Sequence, residues 1–111
     1  MAKFMMVFRG GEPLKSPEQI QQHMQKWMTW FDGLTRDGVY QGAGAPLEPA
    51  GKVVRGRRKA ISDGPYAEAK DLVGGYAIIE ARDLDAAVQI ATGCPTYEVD
   101  GAVEVRPVRP M

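Results

Sequence analysis

Apolar side chains fall along this chain in blocks whose spacing switches between two and 3.6 residues, and each switch marks an element. Residues 2–9 place Phe4, Met6 and Phe8 on one side and Met5 and Val7 on the other. A short run that is apolar on both sides predicts a central strand covered on two faces. Gly10 and Gly11 then release the chain. Ser16-Pro17-Glu18-Gln19 predicts a helix start: Ser16 accepts from an orphan amide, Pro17 has no donor to waste, and Gln19 closes a capping box. Ile20, Met24, Trp27, Phe31 and Leu34 follow as one helical stripe, with Gln22, Lys26, Thr29 and Arg36 opposite and Gly38 as the stop.

Residues 39–41 suit a short strand before a Gly- and Pro-rich loop from Gly42 to Gly51. Residues 52–55 and 57–62 predict two strand pieces interrupted at Gly56 by a bulge or tight turn, and Asp63-Gly64-Pro65-Tyr66 predicts a turn. Residues 74–81 are again apolar on both faces. Asp83 caps a second helix, whose stripe reads Leu84, Ala87, Val88 and Ala91 and which ends at Gly93 and Pro95. In residues 102–108, Val103 and Val105 alternate with Glu104 and Arg106 as a closing strand. The order β-α-β-β-α-β, with an extra short strand near residue 40, predicts an α+β ferredoxin-like sandwich in one domain, residues 1–111. Two helices cover one face of such a sheet. The strands carry apolar residues on both, so a second copy is expected over the bare face, making a homodimer.

Composition narrows the function classes. The 111 residues carry 14 basic and 14 acidic groups, a formal net charge of zero, which argues against a nucleic-acid binder. Area scaling for this size gives roughly 6,000 Å² exposed when folded against roughly 18,000 Å² unfolded, enough for one core. No apolar run approaches a membrane span, and the lone Cys94 cannot staple the fold, which points to a reducing cytoplasm. There is no cysteine pair of zinc type and no second histidine, so neither a metal nor a cofactor is expected. Gly42-Ala43-Gly44-Ala45-Pro46 lacks the third glycine of a phosphate cradle.

Three features carry candidate chemistry. His23 lies at the edge of the first helix's apolar stripe, one turn from Trp27. It either packs against that indole or serves as a general acid or base at the mouth of a pocket between helix and sheet. Arg55, Arg57, Arg58 and Lys59 form either a solvated hairpin rim or an anion site. The segment 63–71 gathers Asp63, Tyr66, Glu68, Lys70 and Asp71 on one loop between core strands, where sites tend to sit. Its alternative role is that of a structural turn, with Asp63 bonding forward and Pro65 presetting the bend.

Asp63-Gly64-Pro65-Tyr66-Ala67-Glu68, with residues 74–91 and the closing residues 103–108, resembles the DGPF branch of the YCII-related proteins, Tyr66 standing where the branch usually has Phe. The resemblance spans nearly the whole chain. It implies the dimeric α/β-barrel type of the ferredoxin-like fold and a homodimer. Some YCII-related relatives look like lyases or dehydrochlorinases acting through a His and Asp pair. Their histidine stands near the start of the first helix, so that role does not pass to His23. The branch signature implies Asp63 and Glu68 as site residues.

Two functions are expected from all this. The first is a pocket for a small organic acid, with cofactor-independent lyase, isomerase or dehydrohalogenase chemistry. There Asp63 or Glu68 is the base, Tyr66 or His23 donates or positions, and Lys70 or Arg9 holds the anion. The second is a non-catalytic regulatory or interaction domain, since the branch is often associated with extracytoplasmic-function sigma factors.

Overall fold

A computed structural model of the chain describes residues 1–65 and 71–111. Four strands make an antiparallel sheet: β1 (Ala2–Gly10), β2 (Tyr40–Pro46), β5 (Val73–Ala81) and β6 (Gly101–Pro107), in the order β2-β5-β1-β6. Helices α1 (Pro17–Arg36) and α2 (Leu84–Ala91) complete the α+β ferredoxin-like arrangement. The continuously apolar β1 occupies the centre, as its two apolar faces demand, with Met6 opposite Ala77 and Val105.

The core lies on one face of this sheet. Phe4, Met6, Phe8, Ala77, Ile79 and Ala81 are buried there against Leu34 of α1 and Ala87 and Ala91 of α2. Both helices pack on that face. On the reverse, Met5, Val7 and Ile78 are half-buried and Tyr76 is exposed, flanked by Glu104 and Arg106.

Both helix starts form as their sequences dictate. Ser16 Oγ accepts from Gln19 N at 3.1 Å and Asp83 Oδ1 from Ala86 N at 2.8 Å. Gln19 Oε1 reaches back to Lys15 N at 3.2 Å, one residue beyond the expected box partner. Gly38 takes φ +74°, which suits a stop without a Cβ.

Four expectations need correction. The Gly-rich stretch after residue 41 is not a loop but most of β2. Gly42 takes φ +87° within a register shift between Tyr40 and Gly44, and a Cβ on Gly44 would stand 2.8 Å from Ala77 Cα. Glycine thus allows the bulge and the close approach that strand propensity alone disfavours. Conversely, β3 (Lys52–Arg55) and β4 (Ala60–Asp63) leave the main sheet and pair only with each other. Residues 56–59 are the turn between them, with Lys59 at φ +55°, so no strand alternation orients Arg57 and Arg58. Finally, both stripes are displaced. Trp27, Phe31 and Leu34 meet the core together with Trp30, while Ile20 and Met24 stay exposed; Ala87 and Ala91 are joined by Ala86 and Ile90, while Leu84 and Val88 stay exposed.

Candidate functional site

Helix α1 lies across the end of the sheet where β2 finishes and β5 begins. Between them is a cleft of about 530 Å³. Its helix wall carries His23, Met24, Trp27, Met28, Phe31 and Asp32. Its sheet wall is made by Phe8 to Gly10 of β1, by Tyr40 and residues 44–46 of β2, and by Gly74 to Tyr76 of β5. The helical rows explain the grouping: Met24, Met28 and Asp32 recur every four residues, beside the core-directed row of Trp27 and Phe31.

The aromatic rings form a rigid wall. Phe8 meets Trp27 edge-on at 4.9 Å between ring centres, and Phe31 lies 4.9 Å from Tyr40. Trp27 and Phe31 stack at 6.0 Å. Such contacts leave a cleft with an apolar body and few polar groups, the usual character of a small-molecule site.

His23 is held in place rather than poised. Trp27 Nε1–H donates to His23 Nε2 at 2.9 Å, so Nε2 carries the lone pair and Nδ1 the proton. Nδ1 stands 3.8 Å from Glu98 Oε2, within electrostatic range but beyond a hydrogen bond. Glu98 in turn accepts from Lys26 Nζ at 3.0 Å on both oxygens. To act as a base through Nε2, the imidazole must first release Trp27.

Of the other expected site residues, the two among the described residues, Arg9 and Asp63, do not come together in the cleft. Arg9 belongs to the cleft wall, yet its guanidinium donates from Nε to Glu104 Oε1 and from Nη1 to Asp71 O, both at 3.0 Å. Asp63 ends β4, is largely exposed, and pairs with Lys52 Nζ at 2.6 Å; it is not part of the cleft. Tyr66, Glu68 and Lys70 lie outside the described residues. The structure adds Asp32 and Tyr40, which the sequence reading passed over. The four-residue row from Met24 to Asp32 was the available signal for the first.

Cys94 is buried behind α1, and burial pushes its thiol up to about 12 from 9.0. Tyr97 is pushed up by burial and then by Cys94 beside it. Among the described residues no three His, Cys, Asp or Glu side chains gather as metal ligands would, and no helix is long and apolar enough to cross a membrane.

Comparison with known proteins bears on this architecture. The model of the YCII-related domain matches residues 3–111. The chain belongs to the YCII-related family. Among solved structures, this YCII-related domain is similar to the 5-chloro-2-hydroxyhydroquinone dehydrochlorinase TftG of Burkholderia phenoliruptrix AC1100, in complex with 2,5-dihydroxybenzoquinone. The TM-score is 0.55 and the identity 17%, over 97% of this chain and 95% of that one. At that identity the likeness establishes a shared fold. No curated protein matches the sequence.

Proposed function

We propose that this YCII-related domain, of the DGPF branch, binds a small organic acid in the cleft between α1 and the sheet and works as a cytoplasmic homodimer. Its chemistry, on this reading, is proton transfer without a cofactor, of lyase, isomerase or dehydrohalogenase type. One observation carries the proposal: an aromatic- and methionine-walled cleft of about 530 Å³ whose lining includes an imidazole and a carboxylate. That a protein of the same fold is a dehydrochlorinase supports the reaction class.

Glu68 is the preferred base, because Asp63 is already paired with Lys52. Tyr66 and Lys70 stand within two residues of it in the sequence, and Gly74, six residues on from Glu68, belongs to the cleft wall. Trp27-bound His23 positions the aromatic wall, and Asp32 is a second carboxylate facing the ligand. The homodimer rests on the reverse face of the sheet, where Met5, Val7, Tyr76 and Ile78 form an apolar centre with charges of both signs around it.

A regulatory, non-catalytic reading is favoured by one fact, the commitment of the single imidazole to Trp27. A titration of small carboxylic acids and lactones, followed by tryptophan fluorescence and thermal shift, separates the two. On the catalytic reading a ligand quenches Trp27, and Glu68→Gln abolishes turnover while leaving the melting temperature within about 1 °C. If no compound binds and Glu68→Gln lowers the melting temperature by about 5 °C or more, the loop is a structural lock and the regulatory reading stands.

A further inference from the structure

The β3–β4 hairpin is an arm. Its two strands pair with each other and not with the main sheet. Val54 and Ile61 are register partners across it and are 65% and 71% exposed. An isolated two-stranded hairpin is at best marginal in water, because one cross-strand pair with nothing over it buries too little. The whole chain shows the same deficit of cover. Its radius of gyration is 15.5 Å, where about 13 Å suits a compact chain of this length. It exposes 8391 Å², over ~2,000 Å² more than area scaling gives for its mass. A standard interface buries about 1,600 Å² in total.

Charge is segregated along the same boundary. Residues 52–63 carry Lys52, Arg55, Arg57, Arg58 and Lys59 against Asp63, a net +4, while the rest of this neutral chain carries −4. The turn that presents Arg57, Arg58 and Lys59 is ordered by Lys59 N bonding to Gly56 O at 3.1 Å, and all three are exposed.

We propose that this arm clasps a second copy of the chain, seating Val54 and Ile61 on the partner's body and setting the basic turn against the partner's acidic surface. The inference rests on the homodimer reading and deepens it. A second copy offers both an apolar counterface and the opposite charge. A nucleic acid offers the charge only, and residues 52–63 include no aromatic side chain on which a base could stack.

Sedimentation equilibrium tests it. For the wild type the dimer dissociation constant should rise about tenfold between about 0.05 M and about 0.5 M NaCl. The R57E/R58E/K59E variant should start about tenfold weaker at low salt and lose that dependence. These turn residues are exposed, and circular dichroism verifies that the variant is folded. Ile61→Cys in a Cys94→Ser background, labelled with a benzophenone maleimide, should photo-cross-link to a second chain.

A dimer with identical, salt-independent affinity in both proteins, and adducts only within one chain, overturns the clasp while leaving the homodimer intact. A monomer throughout overturns both. Salt-sensitive binding of an oligonucleotide by a monomer assigns the arm to nucleic acid instead and likewise refutes the clasp.

Discussion

Cys94 shows how a single side chain ties burial to pH. Below pH 9 its thiol is neutral in the folded and the unfolded chain alike, so its burial counts in full. Above that, the unfolded thiol ionises while the native one resists until about 12, so the native state is destabilised as pH rises across this window. The expected slope approaches about 1.4 kcal/mol per pH unit, and Tyr97 adds to it in the same direction. Urea unfolding at pH 8, 9.5 and 11 should show this decline, and Cys94→Ala should flatten it while lowering stability at every pH. At the same scale, His23 illustrates what position on a helix can and cannot reveal. The four-residue spacing to Trp27 foretold the contact, but the direction of the hydrogen bond sets the tautomer, and that depends on where the indole N–H points.

The elements differ in how openly they were written. β1, α1, β5, α2 and β6 follow from periodicity and caps, since burying one face against a partner requires an apolar stripe of the right period. β2 was hidden because its reason is an absence of side chains. Tyr40 alone has the bulk of a strand residue; Gly42 is there for its left-handed φ of +87°, and Gly44 because neighbouring backbone leaves no room. A Gly44→Val variant should therefore lose about 3 kcal/mol or more, since its Cβ meets the β5 backbone, whereas Ala43→Val, exposed on the same strand, should stay within about 0.5 kcal/mol. Chemical denaturation of the two variants checks the contrast. The displaced stripe of α2 has a related cause: Ala87 and Ala91 allow close approach to the sheet, which rotates Leu84 and Val88 outward.

At the scale of the whole molecule, the question is what covers the surfaces this chain leaves bare. The reverse sheet face is apolar at its centre and charged at its rim, and an isologous pair of such faces satisfies both. Val7→Glu places a carboxylate at that centre next to Tyr76 and Glu104. On the proposed homodimer reading, the variant should sediment as a folded monomer where the wild type sediments as a dimer, with the circular dichroism unchanged. A dimer that survives the substitution moves the interface elsewhere. The cleft depends on the same scale, because α1 approaches β2 and β5 only through the long-range sheet order, and no local pattern announces that Asp32 and Tyr40 line one cleft.

Local chemistry was thus enough to specify the fold class, the strand at its centre, both helix starts and the excess of apolar face, because periodicity, capping and turn geometry act within a few residues. The membership of the sheet, the arm that stands outside it, the tautomer of His23 and the lining of the cleft were beyond its reach. Each of those depends on which distant segments meet, and the free energy that selects the meeting is the burial of surface shared between them rather than a property of either segment alone.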